Sequence, residues 1–157
     1  MRKTILLGIL LVFVTCCPSQ AKDGLMMISP EYLEPVQTNE AFHPLFSAMK
    51  NGKVGKIKNY ISGEMLQRNR VLLEQNREYP DFLRKFYDGA QFKVVKAVRN
   101  GDIVVANIMI IFQDGYESEI RLQLHRDRSD LGSDFIPLKN QKGESLGRWG
   151  VAKDITN

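Results

Sequence analysis

Two hydrophobic periods divide this chain, with the change near Gly89. From Thr38 to Tyr87 the apolar positions recur at helical spacing, and from Phe92 onward they sit in β-rich runs. Thr38 is placed to cap a helix bearing Phe42, Leu45, Phe46 and Met49, closed by Asn51-Gly52. Val54, Ile57, Tyr60 and Ile61 form the arc of a second, short helix. Ser62 caps a third beginning near Gly63, along which Met65, Leu66, Leu72 and Leu73 repeat at i and i+7. Pro80 ends or kinks that helix, because its ring removes a donor and crowds the preceding turn. Proline is also welcome at a first helical position, so Asp81 to Tyr87 can form a new helix stopped near Gly89. Upstream, Lys22 to Gln37 carries Pro30 and Pro35 and reads as a lead-in with little regular structure.

The β-rich part is punctuated by turns. Phe92 to Arg99, Asp102 to Gln113 and Tyr116 to Arg126 are separated by Asn100-Gly101 and Asp114-Gly115, preferred two-residue hairpin loops. They predict a three-stranded antiparallel meander. After the polar stretch Asp127 to Asp134, Phe135 to Leu138 and Leu146 to Ile155 suit a further hairpin around Asn140 to Gly143. Two-residue loops pair Val94 with Asn107 and Asn107 with Leu122. One face then shows Phe92, Val94, Val98, Ile103, Val105, Met109, Ile111, Ile120, Leu122 and Leu124, with Lys96 and Asn107 as its polar exceptions. The other has an aliphatic centre (Val104, Ala106, Ile108, Ile110, Phe112) flanked by Lys93, Glu119, Arg121, Gln123 and His125. A bulge in any strand swaps these faces, because side chains alternate.

Helices followed by an antiparallel sheet with one apolar face make an α+β layout. The stretch Ala41 to Ser62 (AFHPLFSAMKNGKVGKIKNYIS) resembles the opening of nuclear-transport-factor-two-like, cystatin-like cone domains. The closing Arg148-Trp149-Gly150-Val151-Ala152-Lys153-Asp154-Ile155 is similar to their Trp-containing last strand. The resemblance spans Thr38 to Ile155. It implies N-terminal helices packed on a curved antiparallel sheet that encloses a cone-shaped cavity. Such domains include isomerases, dehydratases and polyketide cyclases as well as binding domains without chemistry, so the fold alone decides little about activity.

The first 21 residues are expected to be a signal peptide. Arg2 and Lys3 precede the apolar run Thr4 to Thr15, and Ser19-Gln20-Ala21 offers small residues at −3 and −1. The run falls short of the ~20 residues of a spanning helix. Cleavage after Ala21 leaves 136 of the 157 residues: a lead-in, 22–37, and a single domain, 38–157. The formal charge of +4 drops to +2, with 20 basic residues against all 18 acidic ones. An exported chain with so small an excess is a poor partner for nucleic acid. Both cysteines lie before the cut, so periplasmic or extracellular protein would have no disulfide. The alternative is a lipid anchor on Cys17, although Cys16 at −1 makes a poor lipobox. No second segment is apolar and long enough to span a membrane.

Chemistry is thinly signalled. After the leader there is no Cys nucleophile, Gly-x-Ser-x-Gly elbow, His-Glu-x-x-His helix or phosphate-cradling glycine loop, and no cofactor or metal is implied. His43 precedes Pro44 in a first helical turn and suits a surface or capping role better than a general base. His125, near Asp127, suits an exposed ladder. Asp127, Asp130 and Asp134 lack the alternate spacing and closing Glu of a calcium loop. Lys50, Lys53, Lys56 and Lys58 make a basic cluster in which Lys56 and Lys58 flank the apolar arc of the second helix as snorkelling lysines do, with contact to anionic lipid or polymer as the sharper alternative. Three residues are singled out for ligand binding. Asn107 faces the helices in the derived register and needs a partner; Lys96 lies at the rim of the same face; Trp149 lies on the last strand. Phe42, Phe46, Leu66, Leu73 and Phe86 are the expected helix side of the cavity. The expectation is a non-catalytic exported domain binding a small ligand or a partner protein. A cofactor-free isomerase, dehydratase or hydrolase and an accessory subunit of an envelope complex are the alternatives. The aliphatic stripe Val104 to Phe112 on the outer face predicts a sheet-to-sheet homodimer.

Overall fold

The computed structural model describes residues 29–126 and 135–156. The strand β1 (Glu31–Tyr32) leads into four helices, α1 (Pro35–Lys50), α2 (Val54–Tyr60), α3 (Gly63–Glu74) and α4 (Tyr79–Phe86). Then come β2 (Gln91–Asn100), β3 (Ile103–Ile111), β4 (Glu117–Arg126), β5 (Ile136–Lys139) and β6 (Ser145–Asp154). All six strands form one antiparallel sheet in the order β1-β2-β3-β4-β6-β5, curled into a half-barrel. The architecture is α+β, with the helices on a curved sheet, as the change of period predicts. The expected leader with both cysteines, and the stretch Asp127 to Asp134, lie outside the described residues.

Helix α1 lies in the concavity and contacts both β2 and the far strand β5. Ala41, Phe42, Leu45, Phe46 and Ala48 are its buried side, and Phe46 stacks on Phe92 with ring centroids 4.7 Å apart. The helix starts at Pro35, three residues before the expected cap. Thr38 is instead an internal residue whose hydroxyl donates to the Glu34 carbonyl at 2.7 Å. The physical reason is Pro35, whose fixed φ and missing N–H suit a first turn. The link from α2 to α3 is tied to the sheet, since the Ser62 N–H donates to the Val151 carbonyl at 2.8 Å. Helix α4 is capped by the Asn76 side chain, which accepts the Glu78 and Tyr79 N–H groups at 2.9 and 3.1 Å.

The sheet corrects the predicted register. The β2–β3 loop is Gly101-Asp102, with Asn100 paired to Ile103; Gly101 (φ 62°) takes the first loop position, where a II′ hairpin accepts glycine. The β3–β4 loop has three residues between Phe112 and Tyr116, with Gly115 (φ 84°) in its last position. That odd loop length inverts β3 against β4, so Ile108 pairs with Ile120, Ala106 with Leu122 and Val104 with Leu124. A bulge between Val94 and Lys96 then shifts β2, putting Val94 and Ala97 inward and Lys96 outward.

The predicted faces of β3 are therefore exchanged. Val104, Ala106, Ile108 and Ile110 are buried against the helices, whereas Val105, Asn107, Met109 and Ile111 stand on the convex side. The aliphatic stripe that motivated a sheet-to-sheet homodimer is the floor of the core, not a surface. The five charged or polar flanks, Lys93, Glu119, Arg121, Gln123 and His125, do lie outside, as read from the sequence.

Candidate binding cavity

Between the helices and the sheet lies a partly open cavity of about 200 Å³. Leu45, Phe46 and Met49 of α1 form one wall, Met65 and Leu73 of α3 another, and Leu83 of α4 a third. The floor is Ile110, Ile120, Leu122 and Val151. Ile110 is the β3 residue that reaches it, because the three-residue turn puts even-numbered positions inside.

Four polar side chains break this apolar wall: Asn69, Tyr79, Tyr87 and Asp154. Asn69 anchors its Nδ2 on the Met65 carbonyl at 2.8 Å, which holds the carboxamide on the cavity side of α3. Burial, with the nearby Tyr79 as a smaller cause, pushes the Tyr87 hydroxyl up to about 12. Burial also raises Tyr79. Both phenols are neutral hydrogen-bonding groups at physiological pH. Asp154 pairs with Leu122 across β6 and β4, and its Oδ1 accepts the Thr156 N–H at 2.8 Å. At this end the cavity adjoins a charged vestibule that shares Met65, Asn69 and Asp154 and adds Glu64, Arg68 and Lys153. Arg68 and Lys153 both pair with Glu64. No charge there is left in obvious excess.

The residues expected from the sequence lie mostly elsewhere. Asn107 is on the convex face, where its Nδ2 donates to Glu119 Oε1 at 2.7 Å; the inward placement is corrected by the β3–β4 loop length. Lys96 is turned outward by the bulge and lies over the Tyr32 ring, 5.2 Å from its centroid. Trp149 is fully buried, its Nε1–H donating to the Leu146 carbonyl at 3.3 Å, and it is a core residue rather than cavity lining. Among the expected helix residues, Phe46 and Leu73 do line the cavity. Phe42, Leu66 and Phe86 do not line it; Phe42 is fully buried, and Phe86 is half-exposed beside Tyr87.

His43 and His125 do not meet. His43 is exposed in an open groove beside Lys50 and Arg84, and His125 contacts Gln123 on the convex face. Lys58 of the basic cluster bonds Glu74 at 2.5 Å, which holds that carboxyl below its ordinary range. Among the described residues no cluster of His, Cys, Asp or Glu has the makings of a metal site, and no helix is long and apolar enough to cross a membrane.

Sequence reasoning missed Asn69, Tyr79, Tyr87 and Asp154. Tyr79 and Tyr87 flank Leu83 at i−4 and i+4, which places all three on one side of α4 and was a readable signal. Asp154 was legible only with the bulge that shifts β6 against β4 between Gln123 and Leu124. No protein family, curated protein or solved structure matches the chain.

Proposed function

We propose that the chain is an exported, non-catalytic domain of the cone-fold type that takes a small, mostly apolar molecule into this cavity. The observation that carries the reading is the mostly apolar space of about 200 Å³ between helices and sheet, fitted with the neutral donors and acceptors of Asn69, Tyr79 and Tyr87. Ligand sites are generally apolar with a few fixed polar groups. The volume sets the size of the guest: an apolar cavity of about 150 Å³ takes benzene, and drug-sized ligands need about 300 Å³ or more. A single ring or a short chain with one hydroxyl or carbonyl is the matching class.

Asp154 is the only carboxylate lining the cavity among the described residues; of the helix acids that would favour an enzyme, Glu64 lines only the vestibule, paired with Arg68 and Lys153, and Glu74 and Glu78 line neither. A general acid–base pair set deep against the substrate is not what these positions favour. Binding is the better reading for that reason.

Native mass spectrometry of gently purified protein, with a thermal-shift panel of phenol, indole and short-chain alcohols, tests this reading. A co-purifying small molecule or a raised melting temperature supports it when Met65→Phe, at the junction of cavity and vestibule, removes the effect. A panel with no shift and no co-purifying mass counts against it.

A further inference from the structure

Three exposed rings, Phe82, Phe86 and Tyr116, are joined into one row by Tyr79 and Phe112, which also pack on the core. Tyr79, Phe82 and Phe86 occupy successive turns of α4, Phe86 meets Phe112 beyond β3, and Phe112 meets Tyr116 before β4. Consecutive centroids are 6.0, 5.4, 5.4 and 5.9 Å apart. Phe82, Phe86 and Tyr116 are 53, 47 and 64 % exposed. Grouped exposed rings mark a contact surface where isolated ones do not. Tyr79, at the start of this row, also lines the cavity, whereas Phe82, Phe86, Phe112 and Tyr116 do not.

The polar groups around the rings narrow the occupant. Phe86, Phe112 and Tyr116 share an open groove with Lys85, Asp88, Gln113 and Asp114. Asp114 Oδ1 accepts the Tyr116 N–H at 3.0 Å, which fixes the carboxylate beside that ring. Two carboxylates against one ammonium disfavour an anionic membrane or polyanion. A wholly apolar partner would bury those carboxylates and the carboxamide without partners. A neutral polyhydroxylated chain answers both features. The C–H faces of sugar rings stack on aromatic faces, and paired hydroxyls donate to carboxylates or bond a carboxamide.

We propose that this groove binds a neutral or N-acetylated polysaccharide, with sugar rings on Phe86 and Tyr116 and their hydroxyls on Asp88, Gln113 and Asp114. The contact is shallow, so affinity per site is modest, with a Kd of about 0.1–1 mM for a hexamer.

Titration of the full chain with cello- and chito-oligosaccharide hexamers, followed by calorimetry and amide NMR, tests the assignment. At least one hexamer should bind, with shifts confined to residues 84–88 and 112–116. Phe86→Ala and Tyr116→Ala should each weaken binding roughly fivefold. Because Phe86 also packs on Tyr87 and Phe112, the more exposed Tyr116 is the variant least coupled to folding. Val71→Ala, at an exposed site on α3, and Met65→Phe should leave sugar binding unchanged. The proposal is overturned if neither hexamer binds, or if Tyr116→Ala binds like the parent. It is equally overturned if the rings instead drive binding to phosphatidylglycerol vesicles or self-association that Tyr116→Ala abolishes.

Discussion

The side-chain carboxamide of Asn39 on α1 holds both backbone groups of Val94 on β2, 55 residues further along the chain. Its Oδ1 accepts the Val94 N–H at 2.6 Å, and its Nδ2 donates to the Val94 carbonyl at 3.1 Å and to Pro35 at 2.8 Å. Strand β1 covers β2 only at Val98 and Arg99, with the Leu33 N–H reaching the Ala97 carbonyl. Asn39 continues that pairing past the bulge at Val95. It does for the open edge what another strand would do, and it docks α1 in the concavity that forms the cavity wall.

Asn39→Ala should therefore cost about 1–3 kcal/mol, because it orphans a part-buried donor and acceptor. Denaturant unfolding measures the loss. Hydrogen exchange at the Val94 amide should accelerate more than at its neighbours; unchanged protection there would contradict the clamp.

The observed register separates two adjacent residues of β3. Ile108 is fully buried, so Ile108→Lys should destabilise by about 3 kcal/mol or more, an unpaired buried charge being among the costliest substitutions. Asn107 meets Glu119 on the outer face, so Asn107→Leu should change stability by less than about 1 kcal/mol. The opposite order of effects would mean the predicted two-residue turn at Asp114-Gly115 is the true one.

Two glycines with similar backbone angles should respond differently to alanine. Gly52 has φ 61°, and a Cβ there would fall 2.3 Å from the Pro80 carbonyl oxygen. Gly63 has φ 51°, with nothing nearer than 3.8 Å. Gly52→Ala should cost about 2–4 kcal/mol, from backbone strain plus displacement of α4 from the α1–α2 turn. Gly63→Ala should cost about 1 kcal/mol, from strain alone. Thermal melts of both variants give the comparison.

Alkali should loosen the cavity wall. An unfolded tyrosine ionises near pH 10, whereas buried Tyr87 keeps its proton to about pH 12. Its contribution is fully present below pH 10 and is lost as pH rises through 12, because the unfolded chain sheds the proton first. The slope in that window is at most about 1.4 kcal/mol per pH unit. Tyr79 adds to it in the same direction. Tyr87→Phe should flatten the decline, and ultraviolet titration of that variant should lose the last phenol to ionise.

What the sequence determined by itself was the kind and order of the elements. Helical spacing up to Tyr87, β-rich runs after Gly89 and glycine-bearing turns are local properties, and they suffice for an α+β chain of helices then strands. On β4 the alternation also identified the inner residues, because Glu119, Arg121 and Gln123 leave only one side apolar. On β3 it was silent: from Ile103 to Phe112 only Asn107 is polar, and both faces are apolar. There the tertiary structure decided, through one extra turn residue before Tyr116 and one bulged residue at Val95. Side chains alternate with a period of two, so each single-residue change inverts a whole strand face. That inversion sends Asn107 out and Ile108 in. It also sets Ile110 into the cavity floor, while Asn69, Tyr79, Tyr87 and Asp154 come from α3, α4 and its C-terminal end, and β6, and meet only when the curled sheet closes over the helices.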